Sequence, residues 1–251
     1  MTATSAHAED ANRPAPKAVL FDTFGTVVDW RSSLIRQFEV FAGETGVAGN
    51  WAAVADAWRR EYAPSMNRVR VGASPWKTLD QLHRESLATV LSELGIAGVR
   101  PDDLDRLSLA WHRLSPWPDA VEGLQRLKRR YVIGPLSNGN VALLVNMAKF
   151  AQLPWDVVPG SDIFRHYKPD PEIYLGVCDL LSLAPHDVML AAAHGSDLAA
   201  ARSCGLQTAY FPRPLEYGGP GARPLDPGSA VQQDWDILAS DIEDLATQLG
   251  A

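Results

Sequence analysis

From Lys17 the chain runs through Ala-Val-Leu-Phe without a polar break, then reaches Asp22 and a turn at Gly25. A short uninterrupted apolar run closed by a polar residue is the pattern of a strand buried on both faces of a parallel sheet. From about Arg31 to His112 the period changes. Leu79, Leu82, Leu87, Val90, Leu91 and Leu94 recur mostly at intervals of three and four, with charged residues between them. This spacing predicts amphipathic helices, roughly four or five of them, with no strand among them. Pro116 and Pro118 break the pattern, and strand and helix signals then alternate. Helices are predicted over 119–130, 141–151, 171–181 and 197–205, and strands over 131–137, 155–160, 187–193 and 207–211. The Pro/Gly-rich stretch from Pro212 to Ala230 reads as a long surface loop. Asp241 to Leu249 reads as a closing helix, and no internal repeat is present.

Alternating strands and helices imply βα units and a mostly parallel sheet with helices on both faces. The fold class is therefore α/β, a Rossmann-like doubly wound core with a helical cap inserted after the first strand. The expected division is a disordered tail over 1–16, a core over 17–30 and 114–251, and the cap over 31–113. An insertion directly after the first strand lies over the carboxyl ends of the strands, where open α/β sheets bind ligands.

The formal net charge of -7 gives no electrostatic footprint for nucleic acid. Two cysteines, Cys178 and Cys204, are too few for a disulfide framework and read as core thiols. The uncharged stretch from Tyr131 to Ala148 is interrupted by Pro135, Ser137, Asn138, Gly139 and Asn140, so no membrane span is expected. Met1 to Pro16 lacks an apolar signal-peptide core, which makes the cytoplasm the expected location.

Asp22 is the first residue that could carry chemistry, because a carboxylate ending a strand is presented at the sheet's carboxyl edge. Gly25 then lets nearby N–H groups point at an anion. Taken alone, Asp22-x-x-Gly25-Thr26 fits an Asx-type turn as well. Three more elements follow in order at strand ends or helix starts. They are Ser137-Asn138-Gly139, Lys168-Pro169-Asp170-Pro171 and Asp197. Singly, each could be a helix cap or a solvated loop residue; four in this order at one sheet edge point to a site.

FDTFGTVVD, LSNGN, YKPDPEIY and the helix start at Asp197-Leu198 resemble the four signature motifs of the haloacid dehalogenase superfamily, over about Lys17 to Phe211. In phosphatases of that superfamily the residue two after the nucleophile is a second Asp, and another Asp stands four before the last motif Asp. Here those positions hold Phe24 and Ala193, which leaves a poor magnesium site. A leaving halide needs no proton, so a missing general acid is tolerable for dehalogenation. The chain thus resembles the metal-free type II 2-haloacid dehalogenases, including WRREY in the insertion, where Arg59 takes the place of the halide-side arginine.

The resemblance implies attack of Asp22 on the halogen-bearing carbon, an enzyme ester, and attack of water on the Asp22 carbonyl. Lys168 would keep Asp22 ionised and Thr26 would orient it. Ser137, with the turn at Thr23 and Phe24, would hold the substrate carboxylate. Arg59 and Asn138 would face the halide, Tyr174 would line the cleft, and Trp58 and Phe24 would supply dry walls. The branch places a Ser and an Asn before the last Asp to position water, and a Trp just ahead of it. This chain has Ala192, His194 and Ser196. His194 is therefore expected to handle the water, made more basic by Asp197. The alternative is that it merely caps a helix.

The expected reaction is hydrolytic dehalogenation of short 2-haloacids, with haloacetates, fluoroacetate and L-2-halopropionate as candidate substrates, and with no cofactor and no metal. The expected partners are a haloacid and a halide ion, and the resemblance implies a homodimer, which the sequence itself leaves open. Two alternatives stay open: a magnesium-dependent phosphatase or phosphonate hydrolase on the same scaffold, and a non-catalytic relative that binds an organic acid.

Overall fold

Val19 and Phe21 pack on one side of the first strand, and Ala18 and Leu20 on the other. That alternation is the two-faced burial which the unbroken apolar run requires. The computed structural model describes residues 14–219 and 234–251. Most of the expected tail and the second half of the 212–230 loop lie outside the described residues.

The strands are β1 (Ala18–Phe21), β2 (Val28–Asp29), β3 (Ser115–Pro116), β4 (Val132–Pro135), β5 (Val188–Ala192), β6 (Gln207–Tyr210) and β7 (Ile237–Leu238). Five of them form one parallel sheet in the order β4-β1-β5-β6-β7, and β2 pairs with β3 in a separate antiparallel ribbon. In register, Phe21 lies between Pro135 of β4 and Ala191 of β5. The residues that follow these three strands therefore emerge side by side.

The helices are α1 (Trp30–Thr45), α2 (Trp51–Arg70), α3 (Leu79–Glu93), α4 (Pro101–Ser108), α5 (Ala120–Lys128), α6 (Val141–Ala151), α7 (Ser161–Phe164), α8 (Pro171–Leu180), α9 (Gly195–Ser203) and α10 (Ile242–Gln248). Side chains of α8 and α9, among them Ile173, Val177, Leu198 and Ala201, cover one sheet face. Side chains of α5, α6 and α10 cover the other, and that cluster runs on without a break into α1–α4 through Phe24, Trp30, Trp58 and Trp111. Each such aromatic contributes roughly 1.5–3 kcal/mol when removed from water. The inserted helices are thus fastened to the core by shared apolar burial.

Two expectations fail. The stretch 155–160 is not a strand. The carboxylate of Asp156 accepts the Ile133 N–H at 3.0 Å, taking the place a neighbouring backbone carbonyl would have, and the ladder stops there. The segment after β6 is no plain surface loop either. Arg213 forks onto both oxygens of Asp119 at 2.8 Å and donates to Thr26 O, which draws the segment inward and buries Glu216. Short elements with too few residues for a period, β2, β3, β7 and α7, were not legible in the pattern.

Candidate active site

Asp22 follows β1, Ser137 and Asn138 follow β4, and His194 follows β5. Asp197 lies in the first turn of α9, and Lys168 arrives on the loop before α8. A cavity of about 580 Å³ opens over these strand ends, and α2 closes its far side. Asp22, Phe24, Arg59, Tyr62, Asn138, Lys168, Tyr174, His194, Ser196 and Asp197 line it, with Asn67, Arg70 and Pro169 among the other lining residues.

The two oxygens of Asp22 are held differently. Oδ2 accepts from Thr26 Oγ1 at 2.7 Å and faces His194 Nδ1 at 2.8 Å. Among the described residues, Oδ1 has only a long contact of 3.5 Å with Lys168 Nζ. Thr26 Oγ1 in turn accepts from the Ala193 N–H at 3.0 Å, which fixes its rotamer and makes it a donor toward Asp22. Burial by itself would raise the Asp22 carboxyl. The Lys168 ammonium, with His194 and Thr26, outweighs this and holds it far below the usual carboxylate range.

Lys168 is no solvated loop cation. Its ammonium lies between Asp22 and Asp197 and contacts Asp197 Oδ2 directly. Its backbone N–H is tied to Asn138 Oδ1 at 2.7 Å, which fixes the loop to the β4 turn. Asp197 Oδ1 accepts from the Tyr174 hydroxyl at 2.6 Å. Burial, reinforced by the charge of Asp22, raises the Asp197 carboxyl despite Lys168.

His194 occupies the cap position of α9, but its side chain makes no capping bond. Its second nitrogen, Nε2, lies 3.0 and 3.2 Å from the two oxygens of Glu216, not against Asp197 as expected. Glu216 is 3% exposed and also accepts from Trp30 Nε1 at 3.1 Å. Burial would lower the imidazole's pKa, but Glu216 and Asp22 outweigh it and push it up to about 10.

Arg59 is buried and lines the cavity, whereas Arg60 is exposed, so the two arginines of WRREY separate cleanly. The Arg59 guanidinium lies 4.3 Å from the Tyr62 ring centre, and its Nη1 has no partner among the described residues. A buried donor left unpaired is costly unless a ligand completes it.

Four expected site residues do not line the cavity: Thr26 lies beneath Asp22, and Trp58, Ser137 and Thr23 are turned to other partners or buried. Trp58 donates to His83 O at 3.0 Å and Ser86 Oγ at 3.1 Å, deep in the inserted helices. The aromatic wall comes instead from Tyr62, one turn further along α2. Ser137 stands at the end of β4, but its hydroxyl accepts the Gly139 N–H at 3.3 Å. Thr23 is buried beside Asp22, with its Oγ1 unpaired among the described residues. Glu216 was missed because a Pro/Gly-rich context gives no sign of burial. The apolar flanks Leu215 and Tyr217 were the sole hint.

The family model described as haloacid dehalogenase-like hydrolase matches residues 16–205. The chain belongs to that family. Within it the chain falls in the 2-haloacid dehalogenase branch. It is 30% identical over 236 residues to (S)-2-haloacid dehalogenase 4A of Burkholderia cepacia, covering 90% of this chain and 96% of that one. Among solved structures, the defluorinating L-2-haloacid dehalogenase Rha0230 superimposes with a TM-score of 0.89 and 51% identity, over 94% of this chain and 96% of that one. The L-2-haloacid dehalogenase of Xanthobacter autotrophicus with chloropropionic acid covalently bound gives a TM-score of 0.76 and 25% identity, over 94% and 99%. The haloacid dehalogenase-like core and its inserted helices thus match on sequence and on shape.

Proposed function

We propose that this hydrolase cleaves short 2-haloalkanoic acids through an ester on Asp22, without a metal ion. Hydrolytic dehalogenation of 2-haloacids is its reaction class; the finer steps are read from the site. The observation that carries the reading is the asymmetry of Asp22. Oδ2 is engaged twice, while Oδ1 keeps its lone pairs for attack and has a cation alongside.

In-line displacement by Oδ1 forms the C–O bond as the halide departs with its electron pair. Arg59 Nη1, with Asn138, is the donor set for that halide. Phe24 and Tyr62 keep the approach dry, and a carboxylate attacks carbon faster when less hydrated. Asp197, its pKa raised by burial, is the base for water in the second step. Haloacetates and L-2-halopropionate are the proposed substrates. Fluoroacetate is included because a relative described as defluorinating is half identical to this chain.

Metal independence rests on the donor set. Phe24 puts an aromatic ring and Ala193 a methyl group where magnesium would need oxygen. The Lys168 ammonium already supplies positive charge between Asp22 and Asp197.

Single-turnover reaction in heavy-oxygen water tests the reading. Label should enter the peptide containing Asp22, and halide release should be indifferent to chelator. Halide release with no label in that peptide would overturn it, and chelator-sensitive phosphate release would favour the phosphatase.

A further inference from the structure

Apart from Arg70, which is paired with Asp170 at 2.7 Å, six acidic and basic groups meet around the cavity: Asp22, Asp197 and Glu216 against Lys168, Arg59 and His194. Lys168 serves the pair Asp22 and Asp197. Arg59 faces the cavity from α2, near Asp22 and Glu216. His194 lies in line between Asp22 and Glu216, with one ring nitrogen on each. An imidazole with a carboxylate at both nitrogens donates at both. It then has no lone pair with which to accept a proton from water.

We propose that Glu216 is a positioning residue that holds His194 as a two-sided donor, and that His194 and Thr26 together form the oxyanion hole for the hydrolytic step. This rests on Asp22 being the alkylated carboxylate. The oxygen bookkeeping is specific. With Oδ1 bonded to the substrate carbon, Oδ2 becomes the ester carbonyl oxygen. Thr26 Oγ1 and His194 Nδ1 lie 2.7 and 2.8 Å from that same Oδ2. Water adds to Cγ, and the Cγ–Oδ2 π pair moves onto Oδ2, where both donors already point. One water proton passes to Asp197. On collapse the Cγ–Oδ1 bond breaks, and Oδ1 leaves with the substrate carbon and takes that proton as the product hydroxyl. The second water proton leaves to solvent, and Asp22 is again a carboxylate, now carrying the water oxygen. Preorganised donors of this kind act where charge develops and need no reorganisation.

Glu216 matters most once Asp22 has been alkylated. The ester is neutral, so His194 has then lost one of its two anionic partners. Glu216, 3% exposed, is the remaining carboxylate that keeps the buried ring charged. Without it the ring would shed a proton, and Oδ2 could lose a donor just as negative charge arrives.

Two measurements test this, using the full chain and chloroacetate. In Glu216→Gln the first halide burst should persist while steady-state turnover falls on the order of tenfold or more. Enzyme carrying the acid adduct should accumulate in intact-mass spectra after rapid quench. The alkaline limb of turnover should also move to lower pH. Nitrogen NMR of the wild type with labelled histidine should show His194 protonated at both ring nitrogens at about pH 8, well above the ordinary histidine range. A neutral His194 ring in the wild type, or a Glu216→Gln enzyme with unchanged turnover and pH profile, would overturn the proposal. The wild-type spectrum decides even if the variant fails to fold. Halide release with no adduct in either protein would instead remove the Asp22 ester beneath it.

Discussion

Gly25 lies so close under the carboxylate of Glu216 that a Cβ built on it would stand 2.2 Å from Glu216 Oε1. The same glycine has φ +85, in the left-handed region that disfavours side chains. The turn after the nucleophile and the partner of His194 thus interlock. Gly25→Ala should destabilise the fold by about 1–3 kcal/mol and depress turnover. Thermal unfolding and steady-state halide release check it together. A variant as stable and as active as the parent would show that Glu216 is free to move aside.

Arg59 and Arg60 should differ sharply. Arg59→Gln removes the unpaired buried donor from the cavity and should cut kcat/KM about ten- to hundredfold. Arg60→Gln, at an exposed position, should stay within about twofold. Equal losses in the two variants would remove Arg59 from the halide side.

Lys168→Met would leave Asp22 and Asp197 facing each other in a buried site without the cation between them. Two such carboxylates cannot both stay ionised near neutrality. Activity near pH 7 should fall at least about hundredfold, with partial recovery as pH rises and Asp197, the carboxyl already raised by burial, loses its proton. A pH–rate profile as flat as the parent's would contradict this.

Arg213→Met would strand Asp119, whose two oxygens take the guanidinium fork and which also accepts from the Ile242 N–H. Breaking this partly buried pair should cost about 1–3 kcal/mol, less than a fully buried pair because solvent still reaches the stranded carboxylate. The Asp119 carboxyl would be raised by burial but is held below its ordinary pKa, chiefly by Arg213 and the Ile242 N–H. Its contribution is therefore present above the unfolded-state carboxylate pKa and lost as pH falls through the lower folded value. The gap in unfolding free energy between parent and variant should narrow in acid, as denaturant titrations would show. A gap independent of pH would assign the cost to lost packing.

Most of the sheet was readable because its strands are short unbroken apolar runs between helices with a clear three-to-four period. Helix α6 occupies the segment VALLVNMAKFA as the pattern predicts. The stretch 155–160 misled, since WDVV carries a strand's composition while the Asp156 side chain ends the ladder that would have made it one. Composition does not distinguish a carboxylate that joins a sheet from one that caps it.

Asp22, Lys168, Asn138 and Asp197 were legible because each stands at a strand end or helix start in a fixed order, and Tyr174 through the family resemblance. The chain alone determined that these would gather at one sheet edge, since parallel strands of matched length present their carboxyl ends together. Only the tertiary structure decided which oxygen of Asp22 is left free, which arginine of WRREY turns inward, that Tyr62 and not Trp58 forms the wall, and that Glu216 reaches His194. Those outcomes depend on side-chain rotamers and on a loop drawn in by the Arg213–Asp119 pair across 94 residues of sequence. Contacts over such distances leave no periodic trace in the chain, so they emerge only when the core has packed.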